Sequence, residues 1–168
     1  MRVSHNYILN DEVFNIIMST CLSATLDGLN DPQRFRQRSR TIGSNIYDMT
    51  PVPSGKISRG CIRAMKTGTQ NVITKEHFHG RQEGGNQILR YVKRQLARRK
   101  DIDPKKVKAL VDKHRQVHFT SAEENNKLGA LGKEDRTLLK DWKKMYALCG
   151  IKLIPYIKGQ RYDKYRLS

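Results

Sequence analysis

An α+β fold, mostly helical, is what the sequence predicts, and three observations carry it. Apolar residues recur at helical spacing over 13–26, 88–96, 107–114 and 138–146, the period that buries one face of an amphipathic helix. Two short β-prone runs, Asn71-Val72-Ile73-Thr74 and Val117-His118-Phe119, supply a two-stranded piece. The length of 168 residues suits one domain, or one domain with a tail, and 37% hydrophobic residues allow a modest core.

Each element follows in chain order. Asn10-Asp11-Glu12 ahead of Val13, Phe14, Ile16 and Ile17 predicts a capped amphipathic helix to about Leu26. Arg34, Arg36, Arg38 and Arg40 alternate with Phe35, Gln37 and Ser39. In extended backbone this places four guanidinium groups on one face, a rail for phosphates, against the plainer reading of a solvated charged face. Thr41 to Lys56, with Gly43, Pro51, Pro53 and Gly55, predicts a loop, and 57–66 is too short to assign. The run at 71–74 leads into Lys75-Glu76-His77-Phe78-His79, and Gly80 to Gly85 predicts a turn or loop. Ile88, Leu89, Val92 and Leu96 mark a helix over 87–100. Asp103-Pro104 gives the N-cap and first residue of another, with Val107, Leu110, Val111 and His114 as its stripe. After the 117–119 strand, Thr120 and Glu123 make a capping box that opens a helix to about Ala130. A last helix from Lys133 to about Leu148 turns Leu138, Leu139, Trp142, Met145 and Tyr146 inward and lysines, Lys143 and Lys144 among them, outward, ending at Gly150. The tail, 151–168, alternates apolar and basic residues with Tyr156, Tyr162 and Tyr165, a pattern suited to lying on nucleic acid.

Charge narrows the function. Lys and Arg number 33 against 16 Asp and Glu, a formal net charge of +17, which calls for a polyanionic partner, nucleic acid first. The charge is segmented. Residues 34–70 carry +7, 86–116 carry +8 and 133–168 carry +6, while 1–33 carry −3, 71–85 carry 0 and 117–132 carry −1. The two neutral stretches hold His77, His79, His118, Glu76, Glu83, Glu123 and Glu124. A nuclease has this design, with a cationic surface around an acidic and imidazole node; a binding protein whose neutral stretches are core is the plainer alternative. No apolar run approaches the length of a membrane span, and the first residues lack the apolar region of a secretory signal. Three widely spaced cysteines, Cys21, Cys61 and Cys149, read as reduced thiols of a cytoplasmic protein.

Two neighbourhoods could carry chemistry. In Glu76-His77-Phe78-His79, strand periodicity puts His77 and His79 on one face, and a turn after Glu76 brings Glu76 and His77 to a shared metal. In Val117 to Leu128, a strand feeds a capped helix whose early turns carry Glu124, Asn125 and Asn126. Asparagine is a poor helix-interior residue, so two in succession need a reason; Asn125 shares a face with Leu128, and a surface Asn-Asn pair is the alternative.

A strand, Glu-His, a Gly-rich segment, a second strand and a helix bearing Glu-Asn resemble the HNH, or ββα-metal, endonucleases, particularly phage-borne and homing types. The resemblance covers about residues 72–130. It implies a small ββα-metal-like core over 71–132 with a basic helical insertion at 86–116, flanked by an N-terminal helical and basic region, 1–70, and a C-terminal helix and basic tail, 133–168. It further implies His77 as general base, Glu76 as metal ligand in place of the more usual Asp, and Asn125 as the helix ligand. Asn86 is the one match for the family's central Asn. The terminal histidine is absent, with His79 or His118 standing in as ligand. Arg81 would clamp the phosphate, and Arg34, Arg36, Arg38, Arg40, Arg90, Lys93, Arg94, Arg98, Arg99, Lys143 and Lys144 would contact nucleic acid. Imidazole, with an ordinary pKa near 6.5, can take a proton from water at neutral pH. Mg²⁺ or Mn²⁺ suits carboxylate, amide and water ligands.

The expectation is therefore a metal-dependent endonuclease acting on DNA, with RNA a second possible substrate and no membrane partner. It would work in the cytoplasm of a bacterial host if phage-encoded. The alternative is a non-catalytic DNA- or RNA-binding protein of a phage or ribonucleoprotein.

Overall fold

The structure is a computed structural model that describes residues 9–67 and 73–156. The fold is α+β and mostly helical, with a small mixed sheet. Helices α1 (Leu9–Leu22), α2 (Leu26–Asn30) and α3 (Pro32–Asp48) lead to strand β1 (Val52–Ser58) and α4 (Arg59–Lys66). Strand β2 (Ile73–Glu76) precedes α5 (Arg81–Ala97) and α6 (Pro104–His114). Strand β3 (Gln116–Ser121) runs into α7 (Ala122–Glu134), followed by a 3-10 turn (Arg136–Lys140), α8 (Trp142–Leu148) and β4 (Leu153–Pro155). The sheet order is β2-β3-β1-β4. Two compact units result: the described residues up to Val52 with His79–Arg115, and Pro53–Phe78 with those from Gln116 onward. Among the described residues no helix is long and apolar enough to cross a membrane.

The first unit is helical. Ile17, Cys21, Leu29, Ile42, Ile46, Ile88, Leu89, Val92, Val107 and Val111 fill its core. The expected extended arginine rail at 34–40 is helix instead. Asp31 caps α3 by accepting from Gln33 N at 2.8 Å and Arg34 N at 3.2 Å, and Pro32 occupies the first turn. In a helix, residues two apart point to nearly opposite sides, so the four arginines cannot share a face. The helix continues to Asp48, and β1 follows, so the loop expected over 41–56 is also corrected. Gly84 and Gly85, expected in a turn, lie within α5. A Cβ at Gly85 would collide with the Ser39 carbonyl of α3, and one at Gly84 would press on Ile46 and His114. The glycine pair is thus a close helix–helix contact, worth its propensity cost of about 1 kcal/mol per residue. Ser39 Oγ donates to Asn86 Oδ1 at 2.6 Å beside it. Asp103-Pro104 opens α6 as expected, with Val107, Val111 and His114 buried.

The second unit holds the β2–β3 pair. β2 and β3 are antiparallel, with Thr74 opposite Thr120, Lys75 opposite Phe119 and Glu76 opposite His118. On one face Phe119 joins Ile57, Cys61, Ile62 and Met65. Phe78, Leu128, Leu138, Met145, Tyr146 and Ile151 form a second cluster, which His118 meets through its ring. β2 ends at Glu76, so His77 and His79 do not share a strand face; Asn71 and Val72 lie outside the described residues. The capping box falls one residue later than expected. Ser121 is the N-cap and Glu124 its reciprocal partner, because the Thr120 hydroxyl is engaged across the strand pair, its Oγ1 2.8 Å from that of Thr74. The single helix expected over 133–148 is divided. Asp135 turns its carboxylate to Thr137 N at 2.9 Å and Asp141 to Lys144 N at 3.1 Å, each starting a new helical segment. Leu139 is consequently exposed rather than inward. Gly150, at φ 67°, ends α8. Tyr162, Tyr165 and the rest of the tail from 157 lie outside the described residues.

Candidate active site

Glu76 closes β2 with a half-buried side chain. Burial pushes its carboxyl from the ordinary 4.5 up to about 7, and among the described residues no cation pairs with it. Opposite it stands His118, which is buried and stacked on Phe78 with ring centroids 3.8 Å apart and planes 11° off parallel. Trp142 approaches the same ring edge-on at 4.9 Å, and Nδ1 lies 3.2 Å from the Tyr146 hydroxyl. His118 is therefore built into an aromatic stack, with one ring nitrogen already engaged. His77, half-buried, follows Glu76 directly.

Asn125 is half-buried on α7, a helix that packs on both β2 and β3. It shares a face with Leu128, which is buried with Phe78, Leu138 and Met145. Glu124, next to it, is held elsewhere. Its Oε2 accepts from Ser58 Oγ, from Ser121 N at 3.0 Å and from Ser121 Oγ at 3.2 Å. Ser58 is itself the N-cap of α4, so one carboxylate ties together the starts of two helices. Gly60 lies close beside it: a Cβ there would meet the Glu124 carboxylate and force that side chain to shift.

His79 belongs to the other unit. Its carbonyl accepts from the Tyr47 hydroxyl at 2.8 Å, and its ring meets His114 at 4.8 Å and 61°. Burial, then Lys113, holds its imidazole below the ordinary 6.5, with Glu83 opposing. His114, whose place in a core stripe was its only sequence signal, is more strongly held. Burial foremost, then His79 and Lys113, brings it down to about 4. Its Nε2 lies 3.0 Å from Gln87 Oε1, while Gln87 Nε2 donates to Glu83 Oε1 at 2.9 Å. The Gln87 oxygen must therefore accept, which fixes the proton of neutral His114 on Nε2. Arg81 opens α5, and its side chain lies outside the described residues.

No family model, curated protein or solved structure matches the chain.

The metal set expected from the sequence is not gathered as a whole. Among the described residues no group of three or more His, Cys, Asp and Glu is arranged to hold a metal ion. His79 lies in one unit and Glu76, His118 and Asn125 in the other. What remains is one desolvated carboxylate and one amide on facing elements. A carboxylate and an amide are donor types that suit a hard divalent ion, which binds through one or two carboxylates and keeps several waters; two donors are too few for a closed site of protein ligands.

The cations sort into two groups. Arg34 pairs with Asp31 at 3.6 Å. Arg38 caps the end of α1, donating to Thr20 O at 3.0 Å and Ser23 O at 3.3 Å, and Lys93 donates to Leu29 O of α2 at 3.3 Å. Arg36, Arg40, Arg90, Arg94, Arg98 and Arg99 are exposed, and none of their side chains makes a hydrogen bond or ion pair among the described residues. Lys143 and Lys144 are exposed on α8, the former 5.9 Å above the Trp142 ring.

Proposed function

We propose that the chain is a metal-dependent endonuclease that hydrolyses DNA phosphodiester bonds, of the kind found in phages and homing elements. The observation that carries this reading is the β2–β3 pairing followed at once by α7. It sets Glu76-His77 at the end of one strand and Asn125 on the helix packed against both strands. His77 takes a proton from the attacking water on an imidazole nitrogen. A bound Mg²⁺ or Mn²⁺, held by Glu76 and Asn125 with water, would supply Lewis-acid polarisation of the phosphate and stabilise the leaving 3′ oxygen. Arg90 and Arg94, exposed on α5, hold the duplex through its phosphates.

The test is nicking of supercoiled plasmid by the full chain with Mg²⁺ and with EDTA. Cleavage confined to the Mg²⁺ arm is expected. Binding without cleavage in either arm would select the second reading, a non-catalytic DNA- or RNA-binding protein, which the engaged His118 and the lack of a three-donor group among the described residues favour.

A further inference from the structure

Helix α3 presents two kinds of surface. Ser39, Ile42, Gly43 and Ile46 are buried. On another side Gln33, Arg36, Gln37, Arg40 and Thr41 are exposed and stand around one open surface hollow. The only acid within the helix is Asp48, its last residue. Arg34 and Arg38, on the same helix, are bound to Asp31 and to the end of α1; Arg36 and Arg40 have no such partner among the described residues.

We propose that α3 is a sequence-reading helix, whose Gln33, Arg36, Gln37 and Arg40 contact base edges in the major groove of double-stranded DNA. Arginine reads guanine through O6 and N7, glutamine reads adenine through N6 and N7, and a threonine methyl packs on thymine. Glutamines release no counterions, so what their amides add to the two cations is directional hydrogen bonding rather than charge. Here amides and guanidinium groups interleave on one exposed strip. Arg36 and Arg40 are one turn apart, about 6 Å along the axis at 1.5 Å per residue, a span of about two base pairs at 3.4 Å each. The major groove of B-form DNA, about 12 Å wide, admits a helix. That of A-form RNA is deep and too narrow for side chains to read, so the geometry points to DNA. This inference rests on the nuclease reading only for its choice of nucleic acid as partner.

The experiment is selection of bound duplexes from a randomised DNA pool by the full chain, at about 0.15 M salt, with sequencing of the bound fraction. The wild type should enrich a motif. Arg36→Ala, Gln37→Ala and Arg40→Ala should each relax the preference at particular positions by about 5- to 150-fold, the range a bidentate base contact gives. Arg90→Gln/Arg94→Gln should weaken all sequences equally. The substituted side chains are exposed, and an unchanged thermal midpoint shows that the fold is kept. Three results overturn the proposal: no motif from the wild type, an unaltered motif from the α3 variants, or equal binding to an RNA duplex of the selected sequence. A motif without Mg²⁺-dependent cutting would remove the nuclease reading and leave this one standing. Cutting with a site preference indifferent to α3 would do the reverse.

Discussion

Replacing Glu76 by Gln should stabilise the metal-free protein above pH 7 while weakening its hold on Mg²⁺. The carboxyl titrates at about 7 in the folded chain against an ordinary 4.5, because burial penalises its charged form. A pKa raised by folding gives stability that is complete below pH 4.5 and is lost as pH rises through 7. The gap converts to a ceiling of about 3 kcal/mol at 1.36 kcal/mol per pH unit, which solvent at a half-buried group lowers to roughly 1–2. The raw pH profile will hide this. His114, held down to about 4, acts with the opposite sign: its stability is complete above 6.5 and is lost as pH falls through 4. The quantity to measure is therefore the wild-type minus Glu76→Gln difference in urea unfolding free energy at several pH values, with EDTA. It should favour the variant by roughly 1–2 kcal/mol at pH 8 and vanish near pH 4. Saturating Mg²⁺ should then stabilise the wild type, by about 2.7 kcal/mol at a hundred times Kd, and leave the variant unmoved. A difference independent of pH, or equal stabilisation of both proteins by Mg²⁺, refutes the reasoning.

His77→Ala should lower the cleavage rate by about 10²–10⁴ with DNA affinity unchanged, whereas Asn125→Ala should raise the Mg²⁺ concentration for half-maximal cleavage. Plasmid nicking and fluorescence anisotropy together check both. Gly85→Ala should cost about 1–3 kcal/mol or more by forcing α3 and α5 apart, while Gly129→Ala, with nothing near its Cβ position, should stabilise by up to about 1 kcal/mol; urea midpoints decide. In a cycle of Ser58→Ala, Glu124→Ala and the double variant, the coupling should exceed about 1 kcal/mol, because a hydrogen bond to a charged group joins the two. Additivity within about 0.3–0.5 kcal/mol would show that the shared cap contributes nothing.

Local signals were legible where one principle dominated. Asp103-Pro104 marked α6 because its cap and the stripe Val107, Val111 and His114 agree. The same Asp-Pro pair opens α3, yet the alternation of arginines masked it, since alternating charge imitates strand periodicity without an apolar face to fix it. The glycines of α5 misled for a different reason. Gly-Gly marks a turn only when the chain needs backbone freedom there, and here it makes room for Ser39 of α3, a contact that local sequence does not display.

The site divides along the same line. Asn125 lies on the helix that follows β3 directly, so spacing could place it beside that strand. Glu76-His77, however, stands at the end of β2 with α5 and α6 between, and only the family resemblance suggested the β2–β3 pairing. His118 could not be judged that way, because Trp142 and Tyr146, the residues that enclose it, come from a later helix. The cations make the sharpest case. A net charge of +17 names a polyanion as partner, but it counts Arg38 and Lys93 equally with Arg36 and Arg40. The first two are bound to helix-end carbonyls at 3.0 and 3.3 Å, where a cation is favoured by the helix dipole. Their removal should cost stability before it costs affinity. Each phosphate neutralised steepens the salt dependence of DNA binding by about 0.9 in log–log slope. That slope should therefore fall for Arg90→Ala or Arg94→Ala, exposed on α5, and hold for Arg38→Ala in whatever fraction stays folded. A slope that falls equally for all three would mean that the cap of α1 opens on DNA.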